Sequence, residues 1–64
     1  MTLFQPVYEY DKDVFGRKLN MVFHSTIVYD TMERAKLCAF DTWKDLQSDN
    51  DTLKNITIQQ LILG

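Results

Sequence analysis

The alternation of apolar and polar residues predicts two strands in the first half of the chain. Over residues 3–10, aromatic and β-branched side chains alternate between the two sides of an extended backbone, which favours a strand. Over residues 18–29 the alternation is regular, as expected of a strand with one buried face. Its apolar face carries Leu19, Met21, Phe23, Ile27 and Tyr29. Pro6 cannot donate a backbone hydrogen bond, so we expect it to lie outside the ladder of the first strand.

Residues 11–17, between these two strands, are predicted to form a hairpin turn. Asp11 and Asp13 favour a turn, and Gly16 permits a positive φ. The pattern leaves open whether Val14 and Phe15 extend a strand or lie at the tip of the loop.

The clearest helical pattern begins where the strand alternation stops. Asp30 precedes Glu33 by three residues, which is the spacing of a capping box at a helix N-terminus. Apolar residues then recur every three or four positions along one helix face. They are Met32, Ala35, Ala39, Trp43 and Leu46. We expect the helix to end near Gln47, because the following Ser-Asp-Asn-Asp segment competes for local backbone hydrogen bonds.

The last segment completes a ββαβ order. Apolar residues at even spacing over residues 53–63 indicate a third strand, whereas Thr57 and Gln60 at capping-box spacing leave a short helix open. The sequence therefore predicts a small α+β fold, one domain over residues 1–64, in which one helix packs on one face of a three-stranded sheet. A helix of about 17 residues spans about 25 Å and returns the chain along the sheet, so the third strand should run parallel to the second. We favour a central first strand, with an edge position forced by Pro6 as the alternative.

Length and composition exclude several classes of protein. A chain of 64 residues has room for three or four elements, which excludes folds that bind dinucleotides through repeated βα units. No apolar run approaches the roughly 20 residues of a membrane helix, and no secretory signal is visible. A single cysteine cannot form an internal disulfide, so we expect a reduced, cytoplasmic protein.

The sequence predicts no catalytic residue, no metal site and no cofactor. His24 and Cys38 are the only residues of their types, and no spacing of metal-ligating residues is complete. Cys38 lies beside the apolar helix face, as is typical of a small, partly buried hydrophobic residue. We expect His24 to lie on a surface or interface, so the pair does not indicate an enzyme.

Apolar side chains outside the helical core stripe predict a surface that binds protein. Phe40 borders that stripe, Leu37 lies well outside it, and Phe15 lies near the hairpin. One helix and three short strands cannot cover these side chains together with both faces of a sheet. We expect a homo-oligomer or a stoichiometric inhibitor or modulator of a larger protein, with a nucleic-acid-processing protein as one candidate. By analogy alone, phages and mobile elements use compact acidic proteins in this way against host enzymes.

Acidic side chains provide the predicted polar rim of that surface, at Asp41, Asp45, Asp49 and Asp51. With Lys44 as the only basic residue, these four give residues 41–51 a net charge of −3. Acidic groups near a helix C-terminus oppose the helix dipole by about 0.3–1 kcal/mol each. Their position favours steering toward a basic partner, with solubility and turn formation as the alternative.

Two other functions stay open. Tyr8 and Tyr10 on a strand would stack bases in a single-stranded nucleic-acid-binding module. Nine acidic residues against seven basic ones, with a pI near 5.0, oppose that function. The other alternative is a structural or assembly component, which would form large homo-oligomers.

Overall fold

A computed structural model of the chain describes residues 1–63 and contains four elements in the predicted order. Strands β1 (Thr2–Val14) and β2 (Arg17–His24) form a hairpin, helix α1 (Met32–Leu46) follows, and strand β3 (Asp51–Ile62) completes the sheet. The strand order is β2-β1-β3, with β1 antiparallel to both neighbours. The α+β fold, the central position of β1 and the β structure of the last segment confirm the predictions. β2 and β3 consequently run in the same direction, also as predicted.

The pairing register divides the side chains of the sheet between two faces. Tyr8 and Tyr10 lie on the face that α1 covers, together with their cross-strand partners Phe23, Met21 and Ile56. A bulge interrupts the pairing of β1 with β3 at Lys54. Glu9 pairs with Asn55 and the next residue, Tyr10, pairs with Leu53, so Lys54 has no partner in β1. The bulge reverses the alternation of β3, so that residues on both sides of it direct their apolar side chains toward α1.

The core is centred on Tyr8, which is fully buried. Its ring stacks on the ring of Trp43, with the centroids 5.4 Å apart, and on that of Phe23 at 6.3 Å. Its hydroxyl donates a hydrogen bond of 2.9 Å to the backbone carbonyl of Ala39. The small side chains of Ala35 and Ala39, both buried, let α1 approach the sheet closely. Tyr8 therefore joins the helix to the central strand through both its ring and its hydroxyl.

β2 is shorter than predicted, ending at His24 rather than near residue 29. Ser25 is buried, and its N–H donates to the carbonyl of Pro6. Its hydroxyl accepts a hydrogen bond from the N–H of Ile27, which turns the chain away from the ladder. Tyr29 returns to form an isolated bridge with Phe4. The prediction of a strand through Tyr29 was wrong because the contacts of Ser25 with Pro6 and of Tyr29 with Phe4 join residues distant in sequence.

Pro6 lies inside the central strand, contrary to the prediction that it would stand outside the ladder. The backbone groups of Pro6 point toward the β2 side of β1. The pairing of β1 with β2 extends only as far as Val7, so no β2 residue pairs with Pro6. No N–H is needed there, and the Pro6 carbonyl accepts from Ser25. β1 also extends further than predicted in both directions, over 13 residues.

The N-terminus of α1 differs from the prediction by one residue. The N-cap is Thr31, whose hydroxyl accepts a hydrogen bond from the N–H of Arg34 at 3.2 Å. Asp30 instead forms an exposed ion pair with Arg34, so the capping box of Asp30 and Glu33 was wrong. The C-terminus agrees with the prediction, because Gln47 is the C-cap and donates its N–H to the carbonyl of Trp43.

We predict that removing the Tyr8 hydroxyl destabilises the fold. Tyr8→Phe should lower the free energy of unfolding by about 1 kcal/mol, since a buried hydrogen bond to the helix is lost. Tyr10→Phe is the matched control, because the Tyr10 hydroxyl has no protein partner within residues 1–63. Urea unfolding at neutral pH measures both values, and an equal effect of the two substitutions would contradict the importance of the Tyr8 contact.

The same hydroxyl predicts a loss of stability in alkali. Burial raises the pKa of Tyr8 above its usual 10.0, Tyr29 acts in the same direction, and the side chain of Thr42 acts in the opposite direction. The unfolded chain therefore loses this proton first, so the stability present below about pH 10 falls as the pH rises further. Unfolding titrations from about pH 9 to about pH 11 should show a smaller loss in Tyr8→Phe than in the wild type. Parallel curves would contradict the prediction.

Candidate protein-binding surface

Helix α1 covers only part of the sheet face on which it packs. Its backbone lies close to β1 and β3 but not to β2. A helix is about 10–12 Å wide, whereas strands are about 4.8 Å apart, so one helix cannot cover three strands. Leu19 and Met21 of β2 lie on the helix-covered face and remain 46% and 39% exposed. The helix therefore leaves apolar surface uncovered along β2, and Ile62 at the end of β3 is also exposed on the same face.

A groove of about 280 Å³ lies at the C-terminal end of α1, and Phe23 lines it from β2. We call it the β2 groove, and it is lined by Tyr10, Lys12, Phe23, Trp43, Leu46, Ser48 and Asp51. The Tyr10 and Trp43 rings form its floor at a centroid distance of 5.0 Å. Leu19 and Met21 adjoin the groove, because they pair with Lys12 and Tyr10. Aromatic rings with a few polar groups at the margin are the usual composition of a binding pocket.

The tip of the hairpin exposes Phe15 completely. Phe15 and Gly16 form a two-residue turn and both have positive φ, at 52° and 80°. This matches the type I′ turn, in which Asn-Gly is the favoured pair and a bulky aromatic residue is strained. The tip projects beyond α1, since Phe15 is five residue steps from Tyr10 along the strand, about 17 Å. Neither burial nor backbone preference accounts for a phenylalanine at this position.

The apolar residues singled out from the sequence do not form one surface. Leu37 and Phe40 are exposed on α1, and the Lys44 ammonium lies 4.8 Å from the centre of the Phe40 ring. Phe40 lies on the flank of α1 that faces β3, one turn after Lys36, which lines a cleft with residues of β3. Phe15 lies at the far end of the hairpin. The structure therefore separates Phe15 from the two helical residues.

The four predicted rim residues also lie in different places. Asp41 and Asp45 are exposed on α1. Asp49 shares a shallow depression of about 130 Å³ with Asp11, Asp13, Lys18, Asn50 and Thr52. Asp51 accepts a hydrogen bond from the Ser48 N–H at 3.0 Å, so it stabilises the turn before β3. The approach of Asp49 to Asp11 and Asp13 was missed, although strand alternation places those two on one face of β1.

Tyr8 is not available to stack on a nucleic-acid base, which corrects the prediction of an aromatic platform. It lies beneath α1 with no exposed surface, because its cross-strand neighbours and Trp43 enclose it. Tyr10 is half-buried against Trp43. The strand aromatics therefore form the core and the floor of the β2 groove.

The sheet face opposite α1 is largely polar. Its side chains along the hairpin include Glu9, Asp11, Asp13, Lys18, Asn20 and His24. The sheet separates His24 from Cys38, which is half-buried on α1. Within residues 1–63, no group of three or more His, Cys, Asp or Glu residues is placed to hold a metal ion. No helix in that range is long and apolar enough to cross a membrane.

The chain has no match among protein-family models, curated proteins or solved structures. Function must therefore be inferred from the surface itself. The β2 groove and the Phe15 tip are two features that expose aromatic and apolar side chains to solvent.

The turn geometry predicts that Phe15 costs stability. Phe15→Asn should raise the free energy of unfolding by about 0.5–1 kcal/mol, because Asn tolerates the left-handed backbone better than Phe. Gly16→Ala is the matched control, and it should lower the free energy of unfolding. A Cβ at Gly16 would meet no atom within 4 Å, so its cost of about 1 kcal/mol is purely conformational. Thermal unfolding measures both, and a destabilised Phe15→Asn would show that Phe15 contributes to folding.

Proposed function

We propose that this chain is a protein-binding module that acts as a stoichiometric inhibitor or modulator of a larger protein, without catalysis of its own. The observation that carries the proposal is the apolar part of β2 that α1 leaves uncovered. Leu19 and Met21 lie beside a groove floored by Tyr10 and Trp43. Apolar, aromatic-lined surface of this kind is the usual centre of a protein interface.

The β2 groove supports insertion of an apolar side chain from the partner. Its floor is rigid, because Trp43 is buried and packs on both Tyr8 and Tyr10. A rigid aromatic floor loses little conformational entropy on binding. Lys12 and Asp51 are among the lining residues, so the groove carries one charge of each sign to orient the partner.

Phe15 supports a second point of contact. A strained backbone and full exposure both oppose stability, and such residues occur preferentially at functional sites. Phe15 lies at one end of the same hairpin whose second strand borders the β2 groove. A partner that held the groove and the tip together would bind along the length of β2.

The charge of the chain supports a basic partner. Asp41 and Asp45 are exposed on α1, and the chain has a net charge of −2. Long-range attraction would steer this surface toward a positively charged protein, such as one that processes nucleic acid. In the proposal the module acts in the cytoplasm, where Cys38 stays reduced.

Affinity capture with matched variants tests the proposal. Met21→Glu places a charge beside the β2 groove, whereas Val22→Glu places the same charge on the opposite face of the same strand. Both parent residues are exposed, so neither substitution should unfold the chain. We expect the wild type and Val22→Glu to retain the same protein from a lysate of the source organism, and Met21→Glu to lose it. Isothermal titration with the purified partner should then give a one-to-one ratio.

Two outcomes would contradict the proposal. Capture of nucleic acid alone, with affinity falling steeply as salt rises, would favour a nucleic-acid-binding module. Equal retention of the partner by Met21→Glu and the wild type would show that the β2 groove is not the binding surface.

A further inference from the structure

The outer edge of β3 has no partner strand among residues 1–63, because β3 lies at one side of the sheet. We propose that two copies of the chain pair through this edge, antiparallel and related by a two-fold axis near Ile58, into one continuous sheet. The surface is distinct from the β2 groove, so the dimer and the proposed function are independent of each other.

The backbone hydrogen bonds show which residues present the edge. Phe4 bonds to Tyr29 through both its N–H and its carbonyl, at 2.8 and 2.9 Å, on the β2 side of β1. Even-numbered residues of β1 therefore direct their backbone N–H and carbonyl groups toward β2. Odd-numbered residues such as Gln5 and Val7 direct theirs toward β3. Their partners in β3, Gln59 and Thr57, direct their backbone groups inward, toward β1. The alternate residues of β3 direct N–H and carbonyl groups outward, and we call these the β3 edge: Ile56, Ile58, Gln60 and Ile62.

The β3 edge lacks the features that normally prevent strand pairing. Residues 55–63 contain no charged residue, no proline and no glycine. The only protection is the bulge at Lys54, at one end. The edge of β2, by contrast, carries the charges of Arg17 and Lys18. Two identical strands bring identical charges together near a two-fold axis, so an uncharged edge is the one suited to a second copy.

Pairing at this edge would also bring the two helices to packing distance. α1 lies over β1 and β3, and an axis midway between these two strands would lie about 2.4 Å, half a strand spacing, inside β3. Two β3 strands about 4.8 Å apart would then place the helix axes about 9.6 Å apart. Helices that pack against each other are about 8–10 Å apart. The fold thus allows strand pairing and helix packing in the same arrangement.

The flank of α1 that would face the second helix is shaped for such contact. A cleft of about 500 Å³ lies between this flank and β3. It is lined by Met32, Lys36, Ala39, Ile56, Thr57 and Ile58. Phe40, on the same flank, is 50% exposed. In the two-fold dimer the Phe40 ring of each copy would cover the cleft of the other.

The area required is within reach of this chain. A small specific interface buries about 600 Å² per partner, which is about one-eighth of the 4804 Å² surface. The molecule measures 44 × 21 × 15 Å. In a box of these dimensions, each of the four long sides makes up about one-sixth or more of the total area. One long side, formed by the β3 edge and the adjoining flank of α1, is therefore sufficient.

Sedimentation velocity over a range of concentrations tests the dimer with proline variants of the full chain. Gln60→Pro removes an outward N–H from the β3 edge and leaves the β1–β3 ladder intact. Asn20→Pro is the matched control, since Asn20 faces the outer edge of β2 by the same alternation. We expect the wild type and Asn20→Pro to sediment as dimers and Gln60→Pro as a monomer, each with the same circular dichroism.

A second pair of variants keeps the test decisive if the proline variants fail to fold. Phe40→Asp and Leu46→Asp alter apolar residues of α1 with similar exposure, 50% and 48%. Phe40 lies on the flank toward β3, whereas Leu46 lies at the C-terminal end of the helix and lines the β2 groove. Phe40→Asp should weaken dimerisation at least tenfold, and Leu46→Asp should leave it unchanged. Leu46→Asp should instead impair capture of the partner, because Leu46 lines the β2 groove.

A wild type that remains monomeric at the highest soluble concentration would overturn the dimer. It would also be overturned if the control variants, Asn20→Pro or Leu46→Asp, lost the dimer while Gln60→Pro or Phe40→Asp retained it. Growth into open-ended oligomers that do not stop at a dimer would overturn it as well. A dimer lost in Leu46→Asp would place self-association at the β2 groove. Binding of the partner at that groove is tested separately, by retention of the partner in Val22→Glu and its loss in Met21→Glu.

Discussion

The contact between Tyr8 and α1 is the interaction on which the rest of the structure depends. Tyr8 is fully buried in the central strand, its ring stacks on Trp43, and its hydroxyl bonds to the carbonyl of Ala39. These contacts hold the helix over β1 and β3. Because one helix is about as wide as two strand spacings, β2 is left uncovered. The position of one aromatic side chain thereby determines that β2 is the strand left uncovered.

The uncovered surface lies on two sides of the molecule with different properties. On the β2 side, aromatic rings form a groove with charged groups at its margin, which suits an unlike partner. On the β3 side, an uncharged strand edge adjoins the half-exposed Phe40, which suits a second copy. Binding of another protein and self-association therefore need not compete, and a dimer would present two β2 grooves at opposite ends of one sheet.

Much of the fold was predictable because its signals are local. Alternation identified the strands, and the recurrence of Ala35, Ala39 and Trp43 identified the buried helix face. The end of β2 was not predictable, because a hydrogen bond from Ser25 to Pro6 decides it across 19 residues. The burial of Tyr8 was missed for a similar reason, since alternation defines a face but not the strand on which the helix rests. Exposure of Leu37, Phe40 and Phe15 was anticipated correctly, but their separation depends on topology.

Hydrogen exchange of individual amides, followed by NMR in the isolated chain, tests most directly the claim that the two sides of the molecule differ. The outward amides of β3, such as Ile58 and Gln60, should gain protection as the protein concentration rises, because a second copy covers them. The outward amides of β2, such as Asn20 and Val22, should exchange rapidly at every concentration. Rapid exchange at both edges, or concentration-dependent protection at β2 in place of β3, would contradict this division of the surface.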